Sequence, residues 1–283
     1  MMGSFPCRIE LIAAEAEDIP TLPEVAWKLL KTVSDHGTQL QDLERLIRRD
    51  QPLTAKVLRI ANSSWLGGRQ SASTLRQAIT VLGARRLRSL VLAASIDGVV
   101  RSRAMKNRYM WEHALAVGVA SELLADQTRY PDRQEAFVCG LLHDLGKAVL
   151  ERSLTSEYQA VLDRVYNERI WAVDAERSVL GFDHAAVGGL VAQKWNLPAV
   201  VQEVVREHHN PASATLDPYL CAIVSFADGL CVKEGIGPSQ RPDIDLSSLT
   251  AASILGMKAD SLERMSQAVA ARFREDKRLF GMN

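Results

Sequence analysis

The chain has 283 residues, with 34 Lys plus Arg against 34 Asp plus Glu and a formal net charge of zero. Apolar residues make up 47% and charged residues 24%, which excludes a disordered chain: the apolar surface is enough to offset ordering entropy. The charge balance excludes a general nucleic-acid-coating protein, and no uncharged apolar stretch reaches the ~18–20 residues of a membrane span.

Helical spacing accounts for nearly every periodic segment. Leu22, Val25, Ala26, Leu29, Leu30 and Val33 recur at three and four, with Pro23 tolerated in the first turn. Leu40, Leu43, Leu46 and Ile47 mark a second helix. Leu53, Val57, Ile60 and Ala61 mark a third, capped by Asp50 ahead of Pro52 and ended by Gly67 and Gly68. A fourth starts at Ser73 or Thr74 and carries Leu75, Ala78, Ile79 and Leu82. A fifth follows Gly83 through Leu87, Leu90, Val91 and Ala94. The stretch 101–108, with Arg101, Arg103, Lys106 and Arg108, reads as a connection between two helical halves.

Further helices are predicted over about 109–125, 134–151, 156–169, 171–180, 184–195, 198–209, 216–234 and 259–275, with 235–245 a Gly- and Pro-containing loop. The 134–151 helix is apolar nearly all round, so it belongs in the middle of a core. The predicted fold is all-α, a two-part helical bundle. An N-terminal extension (1–17) precedes a first helical half (18–105), a second half (106–234), and a loop with a C-terminal helix (235–283). No secretory leader is read at the N-terminus and the cysteines show no CxxC spacing, so Cys7, Cys139, Cys221 and Cys231 are expected as reduced, mostly buried thiols in a cytoplasmic protein.

The histidines carry the chemistry. Of six, His113, His143, His184, His208 and His209 fall in the second half, while His36 lies in a polar turn. Asp144 follows His143 inside the apolar run FVCGLLHDLGKAVL, and Asp228 lies in a later helix. Burying a carboxylate beside an imidazole is costly without compensation, and a divalent cation compensates directly. Taken singly, each histidine is more commonly a core or surface residue than a ligand. As a set, five histidines and two aspartates spread over separate helices fit ligands that project inward, as bundle metal sites are built.

That order (His, His-Asp, His, His-His, Asp) resembles the HD superfamily of metal-dependent phosphohydrolases. It is closest to the HD-related output domain (HDOD) branch. The segments IPTLPEVAWKLL, LIRRDQPLTAKVLRIANSSWLGG and STLRQAITVLGARRLRSLVLA carry the likeness in the first half. WEHALAVGVASELLA, AFVCGLLHDLGKAVLE, GFDHAAVGGLVAQKWNLP and VVREHHNP carry it in the second. The resemblance implies an HDOD-type helical half packed on an HD-type half, and a bacterial signalling or regulatory role with signalling proteins as partners. It also implies two divalent metals at most. His113, His143, Asp144 and Asp228 would hold one; Asp144, His184, His208 and His209 would hold the other, with Asp144 bridging.

Many HDOD members have lost this set, and this chain retains it. Asp144 and Lys147 are the catalytic candidates: Lys147 matches the lysine of the HDxGK form of HD-GYP phosphodiesterases, where it faces a substrate phosphate. Alone it reads better as a solvated lysine one helical turn past His143. HHNPAS lacks the glycine-tyrosine-proline element of those enzymes, and Tyr109 stands where a glutamate brings in a third metal in some of them. Imidazole plus carboxylate without thiolate suits iron, manganese, zinc or nickel, and the resemblance favours iron or manganese. Two readings follow: a regulatory output module responsive to a partner or nucleotide-like ligand, or a metal-dependent phosphohydrolase of a nucleotide or cyclic dinucleotide.

The remaining features read as structural. Arg85, Arg86 and Arg88, with Arg76 nearby, cluster at helix junctions, but the spacing at 85, 86 and 88 spreads them around the helix as a solvated face. A nucleic-acid binder through this cluster is a third reading, ranked below the other two, and membrane association is not expected. Trp27, Trp65, Trp111, Trp171 and Trp195 are packing anchors, and Asn62, Ser63 and Ser64 form a helix end.

Overall fold

At several helix starts a short polar side chain takes up orphan main-chain N–H groups. Thr74 Oγ1 accepts from the Gln77 N–H at 3.2 Å while Gln77 Oε1 accepts from the Thr74 N–H at 3.1 Å. This reciprocal box opens α1 (Leu75–Leu82), at the start predicted for the fourth helix. Asp50 Oδ1 accepts from the Leu53 N–H at 2.9 Å, the cap predicted for the third.

The computed structural model describes residues 74–82, 106–237, 240–257 and 264–269, together with 9, 12, 28, 44, 45, 47, 48, 50, 53–55, 57, 58, 87, 91 and 271. The other positions predicted for the first half, including His36, Cys7, Trp27, Trp65, Asn62, Ser63, Ser64, Arg85, Arg86 and Arg88, lie outside the described residues.

From there the chain runs α2 (Lys106–Gln127), α3 (Arg133–Leu142), α4 (Leu145–Ser153), α5 (Thr155–Glu168), α6 (Ala172–Leu180), α7 (His184–Lys194), α8 (Ala199–Glu207), α9 (Pro218–Lys233) and α10 (Thr250–Leu255). Single 3-10 turns lie at Pro211–Ser213 and Leu246–Ser248. No strand occurs among the described residues, and none of their helices is long and apolar enough to cross a membrane. The fold is all-α, as predicted. Cys139, Cys221 and Cys231 are buried free thiols.

Two apolar clusters frame the interior. The larger joins Ile47, Leu53, Val57, Leu75, Leu87 and Val91 to α2, α3, α8 and α9, and includes Trp111, Leu115, Phe137 and Phe226. The smaller gathers α4 to α7 around Val149, Tyr158, Val161 and Val187, with Ile12 packed into it. Helix α9 is the pivot: Pro218 sits in its first turn, Asp217 accepts from the Leu220 N–H at 2.8 Å, and nearly every side chain from Leu220 to Val232 is buried. Buried Glu203 orders the connection into α9 by accepting from the N–H groups of Thr215, Leu216 and Asp217 at 2.7–3.0 Å.

Two helix predictions change. The single helix over 134–151 is broken at His143 and Asp144 into α3 and α4, with Asp144 at φ −93°, ψ 16°. Leu142 belongs to the larger cluster and Leu145 to the smaller, so the break is where the chain passes between them. Helix α10 was not predicted; Gly256, at φ 62°, ends it. Part of the 259–275 helix is described: residues 264–269 are helical, with Met265 and Val269 buried in the larger cluster.

Candidate metal centre

Six elements each deliver part of the predicted set. His113 comes from α2, His143 and Asp144 from the break between α3 and α4, and His184 is the first residue of α7. His208 and His209 follow the last turn of α8, and Asp228 lies within α9. The structure brings all seven together. His113 Nε2 is 3.0 Å from Asp228 Oδ1 and 3.7 Å from Asp144 Oδ2. His143 Nε2 is 3.3 Å from Asp144 Oδ2 and 4.0 Å from Asp228 Oδ1. On the other side, His184 Nε2 is 3.1 Å from Asp144 Oδ1, 3.3 Å from His208 Nε2 and 3.0 Å from His209 Nε2. Asp144 thus faces one histidine group with each carboxylate oxygen.

Close backbone approach makes this convergence possible. A methyl group on Gly146 would lie 1.9 Å from the His184 carbonyl oxygen and 2.8 Å from the Gly188 N–H nitrogen. Only glycine allows α4 and α7 to meet so tightly, and that contact sets His184 against Asp144. Gly237, at φ 119°, packs the segment after α9 onto the His113 ring, where a Cβ would come within 2.7 Å of His113 Cβ.

Acceptors fixed by the fold decide which ring nitrogens carry hydrogen. His113 Nδ1 donates to the Ile236 carbonyl at 2.8 Å, His143 Nδ1 to Gly140 at 2.7 Å, and His208 Nδ1 to Val205 at 2.9 Å. A carbonyl only accepts, so in each neutral ring the Nε2 facing the centre is a lone pair. His184 Nδ1 does the same toward the Glu176 carboxylate at 2.6 Å. Protons satisfy this arrangement only in part: His143 Nε2 and Asp144 Oδ1 are buried and make no hydrogen bond. Buried polar atoms left so are rare and call for a missing partner.

The electrostatics divide the rings into two pairs. Burial, then the neighbouring His143 and His184, push His208 down to about 3, and burial with His208 and His184 pushes His209 down too, so both rings stay neutral and able to ligate. For Asp144, burial acts upward but the charges of His143 and Lys147 win and hold it well below the usual carboxylate range. Asp228 is likewise held down against burial by its His113 hydrogen bond. His184 is raised to about 9 and His113 is raised too, burial being outweighed by the Glu176 carboxylate in one and by Asp228 in the other. Without a cation each therefore carries a second proton, which a metal would displace from Nε2.

Three sets of ligand atoms lie within 4.8 Å of one another: His113 with His143 and Asp228, His143 with Asp144 and His208, and His184 with His208 and His209. Their chemistry, neutral imidazole plus carboxylate around orphaned lone pairs, fits divalent cations. The centre opens on one side: His209 and Asp228 line a cleft of about 430 Å³ whose walls include Trp171, Arg177, Asn210 and Ser225. Arg241 lies over the Trp171 ring, 5.3 Å from its centroid.

Lys147 is buried, and its ammonium is 2.7 Å from Asp144 Oδ2. Tyr109 is half-exposed and lines a separate cavity of about 460 Å³ with Tyr166 and Arg169. One residue escaped the sequence analysis: Glu176, fully buried behind His184. Its signal was present, because Val173, Glu176 and Leu180 share the inward face of α6 at helical spacing.

Comparison with known proteins agrees with this architecture. The HDOD domain profile matches residues 19–211. An HDOD domain protein of unknown function from Geobacter sulfurreducens superimposes with a TM-score of 0.78 at 24% identity, covering 94% of this chain and 98% of that one. A candidate phosphohydrolase from Shewanella amazonensis gives 0.73 at 22%, covering 96% and 98%, and a candidate signal transduction protein from Marinobacter aquaeolei gives 0.80 at 18%, covering 100% and 62%. At these identities the likeness is one of fold. In sequence, an uncharacterised Treponema pallidum protein is 29% identical over 231 residues, 77% of this chain. The chain spans 43% of that relative's length, and 28% of a Mycoplasmoides gallisepticum ribonuclease Y that it matches at 26% identity over 200 residues, 66% of this chain. With the profile spanning most of its length and the same helical scaffold recurring in solved structures, the chain belongs to the HDOD domain family.

Proposed function

We propose that this protein is a signalling or regulatory HDOD protein of the cytoplasm that binds two divalent cations and couples their occupancy, or that of a nucleotide-like ligand beside them, to a partner protein. The observation that carries this reading is the convergence of buried imidazole nitrogens on two carboxylates, with His143 Nε2 and Asp144 Oδ1 making no hydrogen bond. His113, His143, Asp144 and Asp228 would hold one cation, and Asp144, His184, His208 and His209 the other. Iron or manganese is the proposed metal. When bound, such a pair supplies positive charge that polarises a phosphoryl group.

The chain's own residues define the rest. Asp144 offers one carboxylate oxygen to each side. Lys147 neutralises Asp144, and its ammonium would face an anionic ligand bound beside that carboxylate. Trp171 and Arg177 flank the route from solvent. The second reading, a metal-dependent phosphohydrolase, is favoured by that cleft ending on His209 and Asp228.

The test is elemental analysis of protein purified without added metal, followed by a screen of phosphorylated substrates with the native ion. Two equivalents per chain are expected, falling to none in Asp144→Ala. Absence of metal from both proteins, even after incubation with Fe²⁺ or Mn²⁺, would refute the reading. Robust turnover that vanishes with Asp144→Ala would put the phosphohydrolase first.

A further inference from the structure

Helices α5 and α6 supply none of the seven residues above, yet they reach the centre through one carboxylate. Glu176 Oε2 accepts from the His184 main-chain N–H at 2.8 Å and from His184 Nδ1 at 2.6 Å. Its Oε1 accepts from the Tyr158 hydroxyl at 3.0 Å. Glu176, Tyr158 and His184 are all buried. The described partners of Glu176 are these three donors, with no lysine or arginine among its ion pairs.

Helix capping does not account for a charge in this place. Asp183 already caps α7, accepting from the Ala186 N–H at 2.9 Å. A buried carboxylate whose described ion pair is with an imidazole, rather than a lysine or arginine, is costly, so its position calls for a second use. The other three oriented imidazoles rest on neutral carbonyls, those of Ile236, Gly140 and Val205. His184 alone rests on a carboxylate.

We infer that Glu176 is a positioning residue for His184: it holds the hydrogen on Nδ1, turns Nε2 into the centre, and lends negative charge that makes this imidazole the strongest nitrogen donor of the set. The two cation positions are therefore unequal, and the one that includes His184 is governed by α5 and α6. An outer carboxylate on a ligating histidine affects metal affinity by roughly 10- to 100-fold. This inference rests on the two-cation reading above.

The experiment is calorimetric titration of metal-free full-length protein with Mn²⁺, for the wild type and Glu176→Gln. Glutamine has the same shape and still accepts from His184, so geometry is kept while charge is removed. Two binding events are expected in the wild type. In Glu176→Gln one should weaken roughly 10- to 100-fold and the other should stay unchanged. Two unchanged events, or two equally weakened ones, would overturn the role of Glu176 while leaving the metal reading intact. No event in the wild type would overturn both.

Should the variant fail to fold, nitrogen-15 spectra of wild-type histidine rings before and after Zn²⁺ decide the matter. His184 should keep its hydrogen on Nδ1 and show a ligated Nε2. Ligation through Nδ1, or loss of its hydrogen, would refute the assignment.

Discussion

The two sides of the centre are built by different means. On the His113 side, ring orientation rests on the main chain: the carbonyls of Ile236 and Gly140 fix His113 and His143. On the His184 side, it rests partly on side-chain chemistry, through Glu176 and Tyr158. Main-chain acceptors persist under almost any substitution, whereas a carboxylate is removed by one. The first side is thus fixed by topology, and the second is open to tuning by sequence alone. Asp144, facing both, is where they depend on each other.

The contrast can be broken most severely at Asp228. Its carboxylate serves only the His113 side, within 3.0 Å of His113 Nε2 and 4.0 Å of His143 Nε2. Asp228→Ala should lose one of the two metal equivalents by elemental analysis, leaving the other with His184. Loss of both would show that the sides are not separable.

A smaller effect is expected at Gly146. The 1.9 Å approach of a methyl group to the His184 carbonyl means that α4 and α7 must part in Gly146→Ala. Overpacking of this kind costs about 1–3 kcal/mol, read as a lowered midpoint in urea. The metal loss should fall on the His184 side, the reverse of Asp228→Ala.

The mildest test lies away from the centre. The single Tyr130 hydroxyl hydrogen is shared between two carboxylates, Asp217 at 2.7 Å and Glu135 at 3.1 Å, bracing the start of α9. Tyr130→Phe should cost about 1 kcal/mol in unfolding experiments and leave the metal stoichiometry untouched. A change in stoichiometry would mean that Asp228 senses the far end of its helix.

Much of this was legible in the sequence, for identifiable reasons. Histidine and aspartate within apolar helical runs are conspicuous because burial without compensation is unfavourable, and HDLG, FDH and REHH stand out on that ground. Helical periodicity marked α2 and α5 to α9 to within a few residues. The break at His143 and Asp144 was not read, because Gly140 and Gly146 lie three residues before and two after it, no proline marks it, and the interruption depends on two clusters that form only in the fold. Glu176 escaped for a related reason. In AERSVL it looks like a surface glutamate, and its partners, Tyr158 and His184, lie 18 and 8 residues away on other helices. Only its spacing from Val173 and Leu180 gives away an inward face.

The segment after α9 carries one more consequence. The Ile236 carbonyl holds His113 Nδ1, and Gly237 lies so close to that ring that no side chain fits between them. The same glycine also borders the outer hollow shared by Tyr109, Tyr166 and Arg169. Imidazole and strap therefore form one packed unit between the interior and that hollow. A bulkier residue at position 237 should disturb the His113 ring and the wall of the hollow together.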